Sequence, residues 1–399
     1  MKFSCWNVIW AVGKCVSVKR MVTIVFASIS EDHFVKDVCS YPYYLGKYCD
    51  WSCVCAYFTD GKPLKNVLFE QYCALKYLGK ANNYPKQKEI AAEYLRQYAK
   101  QFDVLCFFHY GGASYSLAHL AKRLNPAIKV YIKLDMNEKG FAHFHDGTFL
   151  RKIKILPEYW KSRAVDLFTV ENRSFYRALK EMRLFKNRIE YLPNAVSLFG
   201  VDLGKISRPK QKENILLTVG RLGTHVKNNE LLVEAIRKVS RSLFNDWKFL
   251  FVGSAEAHFV EYVKRACEAD AWMAEHLVLF GEVKDRMRLY ELYAKAKIVC
   301  MTSRSESFCI ALMEAMFFGA YPVITHFGSI IDDLTKDRRY GMVSPQEDVI
   351  ALTEALEKIA GEEKLAVLSQ SVEHFVRDNF SYEVWTKKLD EYLTDLLTR

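Results

Sequence analysis

No apolar run in this chain of 399 residues reaches the ~18 residues that a membrane-spanning helix needs. Phe3 to Gly13 is too short, contains Asn7 and has no clear small-residue cleavage site, which argues against a signal peptide. A disulfide framework is missing as well. The 11 cysteines are odd in number and scattered through expected strands and helices, the usage of reduced thiols in the cytosol. Cys49, Cys53 and Cys55 cluster, but no further C-x-x-C or paired-His set accompanies them, so half-buried strand cysteines are the expectation and no metal site is assigned. Internal repeats, low-complexity tracts and RNA- or DNA-binding motifs are all absent.

What is present is a half-apolar chain too long for one core, so two domains are expected. Its net charge of +10 is unevenly placed. Residues 1–200 hold 30 Lys+Arg against 17 Asp+Glu, a surplus of 13, while the remainder is slightly acidic. The first half is expected to face something anionic: a membrane surface, a phosphorylated acceptor or nucleic acid.

The most informative stretch is Lys297 to Thr325. Ile298 to Met301 reads as a buried parallel strand, Thr302 to Ser307 as a polar turn and Phe308 to Phe318 as a helix ended by Gly319. Tyr321 to Thr325 is the next strand, completing a βαβ unit. Glu306 lies in the turn, and Glu314 is the one charge in the helix, where a carboxylate is costly unless paired. Free backbone N–H groups before such a helix suit an anion. A second unit starts with strand Ile215 to Val219, then Gly220-Arg221, Lys227 and a helix from Asn229 to Ser240. Arg and Lys at a strand end, beside a helix N-terminus, can hold a diphosphate. His225 lies between them. Lys248 to Val252 ends at Gly253 and Val278 to Phe280 at Gly281; both read as strands walling a nucleotide-base pocket.

The G-R-x5-K, the E-x7-E and the following A-M-x-x-G-A-x-P-V-I resemble the donor-site motifs of retaining glycosyltransferases of family 4, which have the GT-B fold. Leu192-Pro193-Asn194-Ala195-Val196 resembles the I-P-N-G-V that closes the first domain in that family. Gly328-Ser329 and Tyr340-Gly341-Met342-Val343-Ser344-Pro345 resemble its remaining donor loop and the G-x-V-x-P that follows it. The resemblance is strong over 189–399 and only topological before that.

The first half reads as α/β. Val22 to Ala27, Ser52 to Phe58, Val104 to Phe108, Val130 to Leu134, Val165 to Val170 and Ile189 to Pro193 are expected strands. Gln87 to Gln101 and Ser116 to Leu124 are expected helices. The segment after the first strand, Ser28-Ile29-Ser30-Glu31-Asp32-His33-Phe34, lacks the glycine pair that family members often carry there. His109 and Asp135 end strands, where ligands bind in open α/β sheets. Gly140 to Gly147, with its H-x-H, is read as an acceptor-side loop. Arg151 to Arg163 is basic and broken by Pro157, and Arg173, Arg177 and Lys180 share one helix face, a pattern suited to anionic lipid.

The resemblance implies two Rossmann-like α/β domains facing a cleft: an acceptor domain over 1–197, a linker over 198–214, a nucleotide-sugar domain over 215–379 and a C-terminal helix over 380–399 that crosses back. It implies transfer of a sugar from a UDP- or GDP-sugar with retention of configuration, without cofactor or metal. Arg221 and Lys227 would stabilise the leaving diphosphate, and backbone N–H groups at Phe308 and Cys309 would bind it. Glu306 would hold donor-sugar hydroxyls, Glu314 the ribose, and Asp135 would face the cleft. Gly253 and Gly281 would border the nucleotide. The partners expected are the donor, a glycan or lipid-linked acceptor and an anionic membrane surface, not nucleic acid, for a cytoplasmic enzyme peripheral at the inner face of the membrane. The alternatives are a sugar-nucleotide epimerase of related fold and a catalytically inactive GT-B binding partner.

Overall fold

The computed structural model describes residues 18–80, 83–145 and 157–399. The first sheet contains β1 (Lys19–Ser28), β2 (Trp51–Phe58), β3 (Cys73–Gly79), β4 (Val104–Phe108), β5 (Lys129–Lys133), β6 (Leu167–Val170) and β7 (Ile189–Tyr191). The second contains β8 (Glu213–Val219), β9 (Lys248–Val252), β10 (Leu277–Gly281), β11 (Ala296–Met301), β12 (Tyr321–Thr325) and β13 (Met342–Ser344). All pairings are parallel, in the orders β3-β2-β1-β4-β5-β6-β7 and β10-β9-β8-β11-β12-β13. Parallel strands are covered by helices on both faces, so they read as continuous apolar runs. β4 and β12 are buried at every residue, which is why their limits were legible from sequence.

Each order reverses once, between β1 and β4 and between β8 and β11. Crevices at such reversals, at the carboxyl ends of the strands, are where ligands bind in these sheets. The last helix, Tyr382–Thr398, packs on helix Asp37–Tyr48 of the first domain. Its stripe Tyr382, Leu389 and Leu393 joins the core around Leu45 and Trp51, and Asp390 ties it to Lys19 at 2.5 Å and to the Trp51 indole at 2.7 Å. The chain crosses beside the linker, where the Val196 N–H donates to the Phe380 carbonyl at 2.9 Å.

Several local expectations are corrected. The helix expected from Phe308 starts at Ile310, because Cys309 is left-handed (φ +58°) and holds Phe308 outside the helical turn. The helix expected from Ser116 begins at Gly112. Gly140 to Gly147 is not a loop in its described part. Glu138–His145 is helical, capped where Asn137 Oδ1 accepts from the Gly140 N–H at 3.0 Å. Residues 146–156, with most of the basic stretch from Arg151, lie outside the described residues. β3 and helix Asp37–Tyr48, which carries Pro42 inside it, had no counterpart in the sequence reading. The basic surplus is also partly internal. Lys133 is fully buried and Arg188 donates to the Ser162 and Val165 carbonyls at 2.9 Å each, while the Arg173 guanidinium, still exposed, lies 3.6 Å from Asp333 of the second domain.

Candidate active site

β8 delivers its chain end to the cleft through two glycines. A Cβ on Gly253 (φ +140°) would lie 1.8 Å from the Gly220 carbonyl, so the ends of β8 and β9 approach this closely only without a side chain. A Cβ on Gly220 would meet Lys227 Cε at 3.4 Å, so the lysine runs directly over the strand end. Gly281 ends β10 with open space beside it.

Lys227 then meets the turn after β11. Its Nζ lies 2.6 Å from Glu306 Oε1, which also accepts from Ser303 Oγ at 2.5 Å. Burial opposes the charge on Lys227, but its surroundings outweigh that and raise its proton affinity. Burial pushes the neighbouring Cys309 thiol up to about 12, so it stays neutral and Glu306 is the group that holds the ammonium. Arg221 is exposed nearby, and its field acts on Lys227. The left-handed Cys309 leaves the N–H groups of 307–311 without a backbone acceptor among the described residues. Turn, lysine and strand end thus combine cationic charge with unsatisfied donors, the chemistry of an anion site.

These groups face the first domain across a cavity of about 320 Å³. Lys227, Glu306, Phe308 and Cys309 line it from one side, and Lys36, Asp37, Asp135 and Asn194 from the other. Asp135, at the end of β5, is left-handed (φ +43°) and lies 3.9 Å from the ring of His109, the similarly strained end of β4. Arg221, Gly253, Gly281 and Glu314 do not line this cavity.

Beneath Asp135 is a buried charge cluster absent from the sequence reading. Lys133 Nζ, wholly enclosed, lies 3.4 Å from Asp37 and 3.9 Å from Glu171. Burial opposes the charge on Lys133, yet Glu171 and Asp37 raise its proton affinity overall. Burial likewise raises Asp37, and it pushes Glu171 up to about 8 against the opposing pull of Lys133. The signal was available: a lysine inside the apolar strand Tyr131-Ile132-Lys133-Leu134 needs a buried counter-charge.

Glu314 sits one helical turn beyond the cavity. It is 3% exposed, ion-paired with Arg286, and within 3.3 Å of the Tyr290 hydroxyl and 3.4 Å of the Tyr293 hydroxyl. Tyr290 also donates to the Ser197 carbonyl at 2.7 Å, so this carboxylate joins the helix to the linker. The expected donor loop is also occupied: Glu138 accepts from the Ser329 N–H at 2.8 Å and Oγ at 2.9 Å, linking the two domains.

Among the described residues no group of three or more His, Cys, Asp or Glu is arranged to hold a metal, and no helix is long and apolar enough to cross a membrane. Cys53 and Cys55 are buried free thiols of β2.

The model of the family "Glycosyl transferases group 1" matches residues 203–371. The chain is 29% identical over 154 residues to an α-1,4-N-acetyl-D-galactosaminyltransferase of Campylobacter jejuni acting on an undecaprenol-linked glycan, covering 38% of this chain and 40% of that one. It is 26% identical over 183 residues to the amylovoran biosynthesis glycosyltransferase AmsD of Erwinia amylovora, covering 45% of each. The chain spans about half the length of the curated relatives it matches. Sucrose-phosphate synthase of Thermosynechococcus elongatus superposes with a TM-score of 0.69 at 14% identity, over 95% of this chain and 99% of that one. Anabaena Alr3699/HepE, solved with UDP and glucose, superposes with a TM-score of 0.66 at 14% identity, over 94% of this chain and 100% of that one. Residues 203–371 therefore resemble a glycosyl transferases group 1 domain, set in a chain with the GT-B fold.

Proposed function

We propose that this chain is a retaining glycosyltransferase of the family 4 kind. It moves a sugar from a UDP- or GDP-sugar to a glycan or lipid-linked acceptor, in assembly of a surface polysaccharide, lipopolysaccharide or glycolipid. The observation that carries the reading is the pairing of Lys227 with Glu306 at the interdomain cavity, beside the unsatisfied N–H groups of 307–311. The undecaprenol-linked substrate named for the Campylobacter protein and the polysaccharide named for the Erwinia protein support this acceptor class.

In this reading the acceptor oxygen attacks the anomeric carbon from the face the diphosphate leaves. The bond to the diphosphate breaks with its electron pair, and the acceptor proton passes to the departing oxygen. Lys227, Arg221 and the N–H groups of Phe308 and Cys309 neutralise that growing charge. Glu306 takes donor-sugar hydroxyls, released from Lys227 as the diphosphate replaces it. Glu314 reaches the ribose only in concert with Arg286, which already holds it. The basic first half would hold a cytoplasmic enzyme against the inner face of the membrane. The test is donor hydrolysis and transfer with UDP- and GDP-hexoses, with the product's anomeric configuration read by NMR. Turnover with retention is expected; absence of both turnover and nucleotide binding would overturn the reading.

A further inference from the structure

The anion site described above draws on the second domain alone, yet the cavity has a first-domain wall. Lys36, which precedes helix Asp37–Tyr48 after β1, is exposed and lines that cavity opposite Lys227 and the open N–H groups. Its ammonium makes no ion pair or hydrogen bond among the described residues. The other charges at the cavity are engaged: Lys227 with Glu306, Asp37 with the buried Lys133, and Asp135 near His109.

We propose that Lys36 is a diphosphate-positioning residue, reaching across the cleft so that the donor's phosphates are held from both domains. This rests on the diphosphate reading above. The charge balance makes the case. The charged residues that line the cavity are Lys36 and Lys227 against Asp37, Asp135 and Glu306, so acids outnumber bases by one even with Lys36 present. Without Lys36 the acids outnumber the one remaining lysine by two, and Arg221, just outside the cavity, is left as the other cation a diphosphate meets. The segment after β1 also lacks glycines that would bring its backbone close to a ligand, so a long cationic side chain is the means this wall has of touching phosphate. A lysine, a mobile point charge on a four-carbon stem, suits a contact made only when the ligand is present.

The experiment is calorimetric titration of the full chain with UDP and with GDP, at low and moderate salt. Variants are Lys36→Met, Lys36→Arg and a distant control, Lys86→Met. Thermal melts should be unchanged, since Lys36 is exposed. Lys36→Met is expected to weaken the diphosphate that binds by about 10-fold, the size of one charge-assisted hydrogen bond, and to flatten its salt dependence. Lys36→Arg should restore most of the affinity, and Lys86→Met should match the parent. If Lys36→Met binds the diphosphate as the parent does, the proposal is wrong. If the parent binds neither UDP nor GDP, the diphosphate reading itself has failed and this inference falls with it.

Discussion

Replacing Lys227 by alanine is the sharpest perturbation of the proposed site. Lys227 and Glu306 are 2.6 Å apart with side chains 18% and 14% exposed. At that separation an effective dielectric near 20 gives roughly 6 kcal/mol of attraction, most of it offset by desolvating both ions. Glu306 also keeps its bond from Ser303 when the lysine is gone. The loss in folding stability should therefore be about 1–3 kcal/mol, a fall of a few degrees in Tm. The catalytic loss should be larger in consequence. A donor aimed at charge that grows toward the transition state is worth about 100- to 1000-fold in kcat. Donor KM should change much less, because the interaction is strongest after the ground state. The assay is kcat and KM for the donor, with circular dichroism to confirm folding. Arg221→Lys should also be impaired, since a point charge does not replace a guanidinium fork. Glu314→Gln should instead weaken nucleotide binding with little loss at saturating donor. If Lys227→Ala and Arg221→Ala both keep the parental kcat, the diphosphate sits elsewhere and the reasoning fails.

Three other outcomes are expected. Asp135→Asn should lower turnover at least 10-fold with Tm nearly unchanged, because the side chain borders the cavity; unchanged turnover would make it a structural residue. Glu171, raised to about 8 by burial, binds its proton more tightly folded than unfolded, so its contribution is complete below about pH 4.5 and is lost as pH rises through about 8. Glu171→Gln should thus flatten the fall in Tm between those values, and a parallel fall in both proteins would contradict the assignment. The basic first half should sediment with anionic vesicles at low salt and release as salt screens the charges. Equal binding to neutral vesicles, or none to either, would remove the membrane proposal. The effect should be smaller than a surplus of 13 suggests, because Lys133 and Arg188 are spent on partners inside the first domain.

By itself the sequence determined the architecture of the second domain and the two motifs within it. Its strands are buried on both faces, so their apolar runs end where the strands end. The spacing of Arg221, Lys227, Glu306 and Glu314 is local to strand ends and helix starts, and local order is what a sequence carries. Only the tertiary structure decided which partners those residues meet. Lys227 and Glu306 come together because β8 and β11 are neighbours in the sheet, though 79 residues separate them. Glu314 read as a charge in need of a partner, and only the fold showed that Arg286 and two tyrosines close around it. The first-domain wall was the least legible part. Lys36, Asp37, Lys133 and Glu171 come from three separated segments and share no spacing. They meet because parallel strands bring the chain back to the same sheet edge each time, and burial then forces charges of opposite sign to find one another.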